Sequence, residues 1–246
     1  NYEAGLLIEG FEYSPTFMMT YNPQYYADLA ESYGFKKEKD LLALIMTADV
    51  GEEKRIFLER VAERIRGKGK VRIRTAVLGD FMSEVDLIKG IYDEAWSRNW
   101  GFAPMSDDEL MEMGKNLLQI VDPDFAFFVY YNDEPVGFCL IVPDVNPVLR
   151  RLNGKVGLLG LAKMYLYRHE IRGLRGLLFG FKHTHQKLGL PLVAFDHVNK
   201  LRSQKAQYRY LELGWNLEDN HDINQFEIDI GARVYKRYRV YYKPLT

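Results

Sequence analysis

One cysteine in 246 residues excludes an internal disulfide, and Cys139 sits between Phe138 and Leu140 as a small apolar residue rather than a reactive thiol. A reducing, cytoplasmic setting suits such a chain. Neither sign of charge is in excess: 33 Lys+Arg stand against 34 Asp+Glu, which excludes a globally basic nucleic-acid binder and leaves nucleic acid as the last choice of partner. No apolar run reaches the roughly 18 residues of a membrane-crossing helix, so no membrane partner is expected. Asn1, Tyr2 and Glu3 lack the charged-then-apolar order of a signal peptide, and a start on Asn1 rather than Met leaves room for residues upstream. Neither a GxxxxGKS/T segment nor a GxGxxG turn is present, which removes the usual signals of P-loop hydrolysis and dinucleotide binding. CxxC and HExxH are also absent. His183 and His185, two apart, therefore lack partners at metal spacing, and no metal is expected.

What is present describes a folded chain, with 47% hydrophobic and 27% charged residues. The length allows one large domain or two smaller ones, and a homo-oligomer is left open. Residues 50–70 read as a connecting helix, with Phe57, Val61 and Ile65 at i, i+4 and i+8 and charges around them, stopped by Gly67 and Gly69. Beyond Lys70 the elements alternate. Residues 71–77 read as a strand, 84–96 as a helix with Val85, Ile88, Tyr92 and Trp96 near one face, and 107–121 as a helix whose Ser106 and Glu109 have capping-box spacing. Runs 125–131 and 136–142 flank the turn Asn132–Pro135 as a hairpin. Helix 157–171, strand 175–181, helix 191–203, strand 208–215, helix 221–230 and strand 232–243 follow. The fold class is α/β, with a mixed sheet and helices on its faces.

The junction from Phe181 to Pro191 is where an anion would bind. Consecutive amides of a strand-to-helix turn, at the positive end of a helix, hold phosphate without a special side chain. Nine Lys/Arg between Arg150 and Lys187, against Glu170 alone, either steer a polyanion there or form a solvated face.

At this junction the sequence resembles the GNAT superfamily of acyl-CoA-dependent N-acetyltransferases. The family's pyrophosphate loop runs Gln/Arg-x-x-Gly-x-Gly/Ala; Gln186 and Gly189 match, while Pro191 departs at the last position. The order of elements over residues 71–246 is also similar, which implies a mostly antiparallel GNAT-like sheet. A further landmark is an Asn opening a short helix that ends in Gly, here Asn220 and Gly231. The segment from Asn22 to Gly34 repeats that theme, so residues 1–49 are expected to be the closing portion of a preceding GNAT-like repeat. An ordinary capped helix is the alternative.

The resemblance implies acetyl-CoA or another acyl-CoA as co-substrate. Its pyrophosphate would rest on Lys187, Leu188, Gly189 and Leu190, with Gln186 at the loop entrance and Asn220 as a further coenzyme contact. The pantetheine arm would run beside 177–181 and 208–215. A small amine or amino-acid-like acceptor would attack the thioester, with Glu212 as the base, or else Glu212 is a surface residue of its strand. Trp96, Asn99, Trp100 and Phe102 would wall the acceptor pocket, or else plug the core at a helix end. Six acidic residues from Glu212 to Asp229, with no cation among them, would favour a cationic acceptor or form a solvated face. The family's general-acid Tyr is missing, since Glu227 occupies its place. Two other readings remain: a non-catalytic ligand-binding or assembly module on the same fold, and an aminoacyl-tRNA-dependent transferase.

Overall fold

The computed structural model describes residues 4–47, 51–152 and 158–245. In chain order its elements are β1 (Leu6–Glu9), α1 (Tyr25–Ser32), β2 (Lys36–Thr47), α2 (Glu52–Arg66), β3 (Val71–Thr75), α3 (Phe81–Trp96), α4 (Asp107–Leu117), β4 (Ala126–Tyr131) and β5 (Glu134–Pro143). There follow α5 (Asn146–Arg151), α6 (Leu158–Tyr167), β6 (Gly173–Phe181), α7 (Leu190–Gln204), β7 (Tyr210–Leu217), α8 (His221–Asp229) and β8 (Arg233–Tyr242). The strand order is β1-β8-β2-β7-β6-β5-β4-β3, with β6 and β7 parallel over Gly173–Arg175 against Tyr210–Glu212. The pairings β1–β8, β8–β2, β2–β7, β5–β4 and β4–β3 are antiparallel. This is the mixed, mostly antiparallel sheet that the sequence led one to expect.

The chain forms two compact units, and they are not consecutive stretches. One gathers Asn1–Val50, Asp144–Arg175 and Arg209–Thr246; the other holds Gly51–Pro143 and Gly176–Tyr208.

In the first unit two strand–helix–strand segments interleave. β8 lies between β1 and β2, and β2 lies between β8 and β7, so each segment supplies a strand to the middle of the other's pair. The helix ends are built alike. After α1, Gly34 has φ +85° and its N–H bonds Glu31 O, while Phe35 N–H reaches back to Ala30 O. After α8, Gly231 has φ +109° and bonds Ile228 O, while Ala232 bonds Glu227 O. Both are Schellman endings, which need a residue that tolerates positive φ. Asn22 holds β1 in place: its Oδ1 accepts from Leu7 N–H at 2.7 Å and its Nδ2 donates to Leu7 O at 3.3 Å. The unit's core packs Leu7, Leu41, Ala43, Leu217, Tyr235 and Tyr238.

In the second unit β4 and β5 join through Asn132 and Asp133, both at positive φ, the two-residue turn that matches strand twist. Glu134 and Pro135, expected in the turn, already belong to β5. The capping box at Ser106 and Glu109 opens α4 as expected, but the helix ends at Leu117 rather than 121, and Pro123 opens a separate 3-10 turn. α3 buries Val85, Ile88 and Ile91 against Phe128 and Phe138. α2 lies along α7 through Arg66 on Asp196 (2.5 Å) and Lys200 on Glu59 (3.4 Å). Its expected apolar stripe is corrected at one position: Phe57 is 63% exposed and Ala62 is the buried residue.

Of the expected helix at 157–171, residue 157 lies outside the described residues. The remainder is α6 plus a 3-10 turn over Arg168–Glu170. α5 was not foreseen; Pro147, which suits a first helical turn, is the signal that could have placed it.

Candidate functional site

The junction that follows β6 belongs to the second unit. A 3-10 segment, His183–Leu188, leads to Gly189 at φ +75°, and this left-handed residue opens α7. Glycine is required there, because a Cβ would carry the left-handed penalty and would also stand 2.7 Å from Ile65 Cδ1 of α2. Gln186 serves the loop itself, since its Nε2 donates to Phe181 O at 3.0 Å. The set of amides available to an anion is smaller than the spacing suggested. Leu190 is wholly buried, Pro191 has no N–H, and Leu192 and Val193 both donate to Gly189 O. Lys187 and Leu188 lie within the 3-10 turn with exposed side chains. Gly189, left-handed and directly ahead of α7, is the backbone position nearest the helix's positive end.

The aromatic segment after α3 divides. Trp96 stacks on Tyr92 at 5.0 Å and covers Gly180 of β6, where an added Cβ would meet Trp96 Cη2 at 2.0 Å. Phe102 joins the same cluster through Tyr92, at 5.7 Å. Asn99 turns the chain by accepting Phe102 N–H, and Trp100 stands 43% exposed. Trp96 and Phe102 are thus brought together around Tyr92.

Asn220 and Glu212 are in the first unit. Asn220 is the N-cap of α8, but its side chain makes no capping bond. Asn224, one turn on, donates instead to Leu217 O at 2.9 Å. Glu212 is 0% exposed, which overturns the reading of a surface glutamate. Its Oε1 lies 3.3 Å from Arg175 Nη1 on the neighbouring strand β6. Around this pair the first unit buries more polar groups than the sequence announced. The Tyr235 and Tyr238 hydroxyls and both Glu212 oxygens complete no hydrogen bond of normal geometry. Burial, and next the Glu212 charge, push both phenols well above the usual tyrosine range. Lys236 Nζ donates to Ser14 O at 2.7 Å, and burial lowers its pKa. Asp144 accepts from Tyr210 Oη at 2.7 Å and from Phe17 N–H at 2.9 Å, with its pKa raised by burial. Glu227 on α8 accepts from Asn216 Nδ2 at 2.7 Å, and burial pushes its carboxyl up to about 8.

Sequence reasoning missed Arg175 as an interior group because it counted it by charge, and it did not single out Lys236. The signal was position: Arg175 opens an apolar run, and Lys236 lies between tyrosines of a central strand. The acidic stretch of β7 and α8 is also less one-sided than it reads, since Lys37 meets Glu218 at 2.7 Å and Lys39 meets Asp219 at 2.6 Å. The basic stretch is likewise partly engaged: Lys182 bonds Glu134 at 2.8 Å and Arg151 meets Glu170 at 3.2 Å, while Lys155 lies outside the described residues. Among the described residues no group of three or more His, Cys, Asp or Glu is placed to hold a metal, and no helix is long and apolar enough to cross a membrane. Cys139 is buried, and burial raises its thiol well above the ordinary value, as its apolar neighbours suggested.

No family model matches the chain. Protein YghO of Escherichia coli (strain K12) is 33% identical over 253 residues, covering all of this chain and 63% of that protein. The bacterial ceramide synthase of Caulobacter vibrioides is 30% identical over 254 residues, covering all of this chain and 64% of that protein. The chain thus spans a little under two thirds of the length of the curated relatives it matches. Among solved structures, a GCN5-related N-acetyltransferase from Sphaerobacter thermophilus superposes with a TM-score of 0.60 at 15% identity, covering 92% of this chain and 59% of that one. A tandem GNAT protein from the clavulanic acid biosynthesis pathway superposes with a TM-score of 0.52 at 10% identity, covering 92% and 61%. The chain has the GNAT fold, as the loop residues Gln186 and Gly189 implied.

Proposed function

We propose that this chain is the acyltransferase portion of an enzyme that moves an acyl group from coenzyme A to a primary amine. The observation that carries the reading is the β6–α7 junction, where Gly189 stands left-handed at the positive end of a 15-residue helix. The GNAT fold of the neighbours supports acyl-CoA as donor. The name of the Caulobacter relative supports an amide-forming reaction on a lipid amine. In that reaction the amine nitrogen attacks the thioester carbonyl, the C–N bond forms, the C–S bond breaks, and the thiolate leaves with a proton. The ammonium acceptor must first lose its own proton. Lys187, exposed beside Gly189, would add charge at the diphosphate.

Titration calorimetry with coenzyme A, followed by a thiol-release assay with acyl-CoA and an amine panel, tests the proposal. Binding that weakens in Gly189→Ala, with release dependent on an amine, supports it. No binding to the folded chain rejects it. A second reading, a binding module without turnover, is favoured by the reduced amide set around Leu190 and Pro191. Coenzyme binding without release would select it. We further propose that the β1–α1–β2 and β7–α8–β8 segments descend from one repeated unit, which their matched Schellman endings and interleaved strands support.

A further inference from the structure

Inside the second unit, between α3, α4 and the sheet, lies a cavity of about 50 Å³. Its wall is formed by apolar side chains, among them Ile88, Met113, Leu117, Phe138, Leu140 and Leu178. The one charged residue on the wall, Glu84, is already engaged. Its carboxylate takes Arg74 Nη1 at 2.7 Å, Arg74 Nη2 at 2.9 Å and Val77 N–H at 2.8 Å. With the rest of the wall apolar, a water placed there would find fewer than the two to four partners it needs, so the space is dry. Protein interiors are close-packed, and a dry void of this kind forfeits contacts unless something fills it.

Three features suit an occupant that enters from outside. Val77, on the wall, is 53% exposed, so the lining reaches the surface. Gly114 lies in the interior of α4 and faces the cavity; Ala would favour the helix more, but it would take up the space. Met113 lines the cavity while Met105 and Met111 pack against the adjoining core, and unbranched thioether chains let such a wall adjust to its contents. We propose that this cavity receives the end of an unbranched aliphatic chain, a few methylenes deep, with the rest of the chain lying outside it. The shared chemistry is a run of methylenes, supplied either by a fatty acyl donor or by a long-chain amine acceptor. The inference rests on the acyl-transfer reading only for the source of the chain.

Three measurements on the folded protein test it. Cis-parinaric acid, an unbranched fluorescent fatty acid, should show saturable binding to the wild-type chain. Gly114→Phe and Leu178→Trp, which fill the cavity by different routes, should weaken that binding about tenfold or more, given the contribution of each buried methylene. Their affinity for coenzyme A itself should not change. Because a filled core can fail to fold, Met113→Ala, which enlarges the cavity, serves as the complementary variant and should bind at least as well as wild type. Dodecanoyl-CoA binding more tightly than coenzyme A assigns the chain to the donor; displacement of the probe by dodecylamine assigns it to the acceptor. No saturable probe binding by the folded wild-type chain, or equal binding in both filled variants, overturns the inference. Probe binding with no affinity for coenzyme A leaves the cavity site standing and sinks the acyl-CoA reading; coenzyme binding without the probe does the reverse.

Discussion

The guanidinium of Arg175 lies 3.3 Å from the carboxylate of Glu212, across the parallel β6–β7 pairing, with the two side chains 5% and 0% exposed. Two charges sealed from water together hold each other in place, and neither is tolerated alone. Arg175→Met should therefore lower stability by about 3–5 kcal/mol by stranding the Glu212 charge. The double variant Arg175→Met, Glu212→Leu should recover most of that loss. Urea denaturation of the single and double variants measures the difference; equal losses in both would show that the pair does not share its burial cost.

Glu227 gives the stability a dependence on pH. Its folded carboxyl titrates near 8 against an ordinary 4.5, so between those values the folded chain holds a proton that the unfolded chain has released. Stability contributed by that proton is complete below about pH 4.5, falls as the pH rises, and is gone above about pH 8. Glu227→Gln has no proton to lose and still offers an oxygen to Asn216. The expected result is a variant that gains on wild type steadily between pH 5 and 8 in urea midpoints. Parallel curves for the two proteins would contradict it.

Asn22, ahead of α1, and Asn220, the N-cap of α8, should behave differently. Asn22→Ala removes both bonds to the buried Leu7 backbone and should cost about 1–3 kcal/mol. Asn220→Ala removes a side chain with no capping bond and should change stability by less than about 0.5 kcal/mol. Thermal unfolding of the two variants makes the comparison, and an Asn220→Ala loss as large as that of Asn22→Ala would refute it.

Gly180 admits the Trp96 ring. Gly180→Ala should push the indole off its seat and break the stack on Tyr92, at a cost of about 1–3 kcal/mol for an overpacked contact. Near-ultraviolet circular dichroism and tryptophan emission report the displacement. Adding Trp96→Leu should restore stability, and a failure of that rescue would mean that Gly180 is needed for some reason other than the ring.

Most of the architecture was legible because it rests on periodicity. The hairpin of β4 and β5, the capped α4 and the alternation of β8 follow from side-chain spacing, and the structure moves their ends by a few residues. The Gln186–Gly189 spacing led to a strand-to-helix loop with a left-handed glycine, because such a position before a helix leaves glycine as a local mark. What the sequence hid was non-local. Pro191 was visible, but not that Leu190 is sealed or that Leu192 and Val193 already bond Gly189 O. Nor could charge counts show that Arg175 faces Glu212, since burial of a cation depends on strands brought together from distant parts of the chain. Phe57 erred the other way: its spacing marked a packed stripe, yet α2 meets α7 through ion pairs, Ala62 is the residue it buries, and the Phe57 ring is left in solvent.

The interleaving of β1, β8, β2 and β7 has a consequence for biogenesis. On the ribosome, the amino-terminal strands emerge long before the carboxy-terminal strand that must slot between them has been made. Until then β2 has open edges on both sides, a template for mispairing that nascent chains tolerate poorly. Closure of this half must await synthesis of β7 and β8, and the sequence distance it spans sets a slow pace for that step. Shortening the chain by its last strand would leave β1 with no neighbour in the sheet.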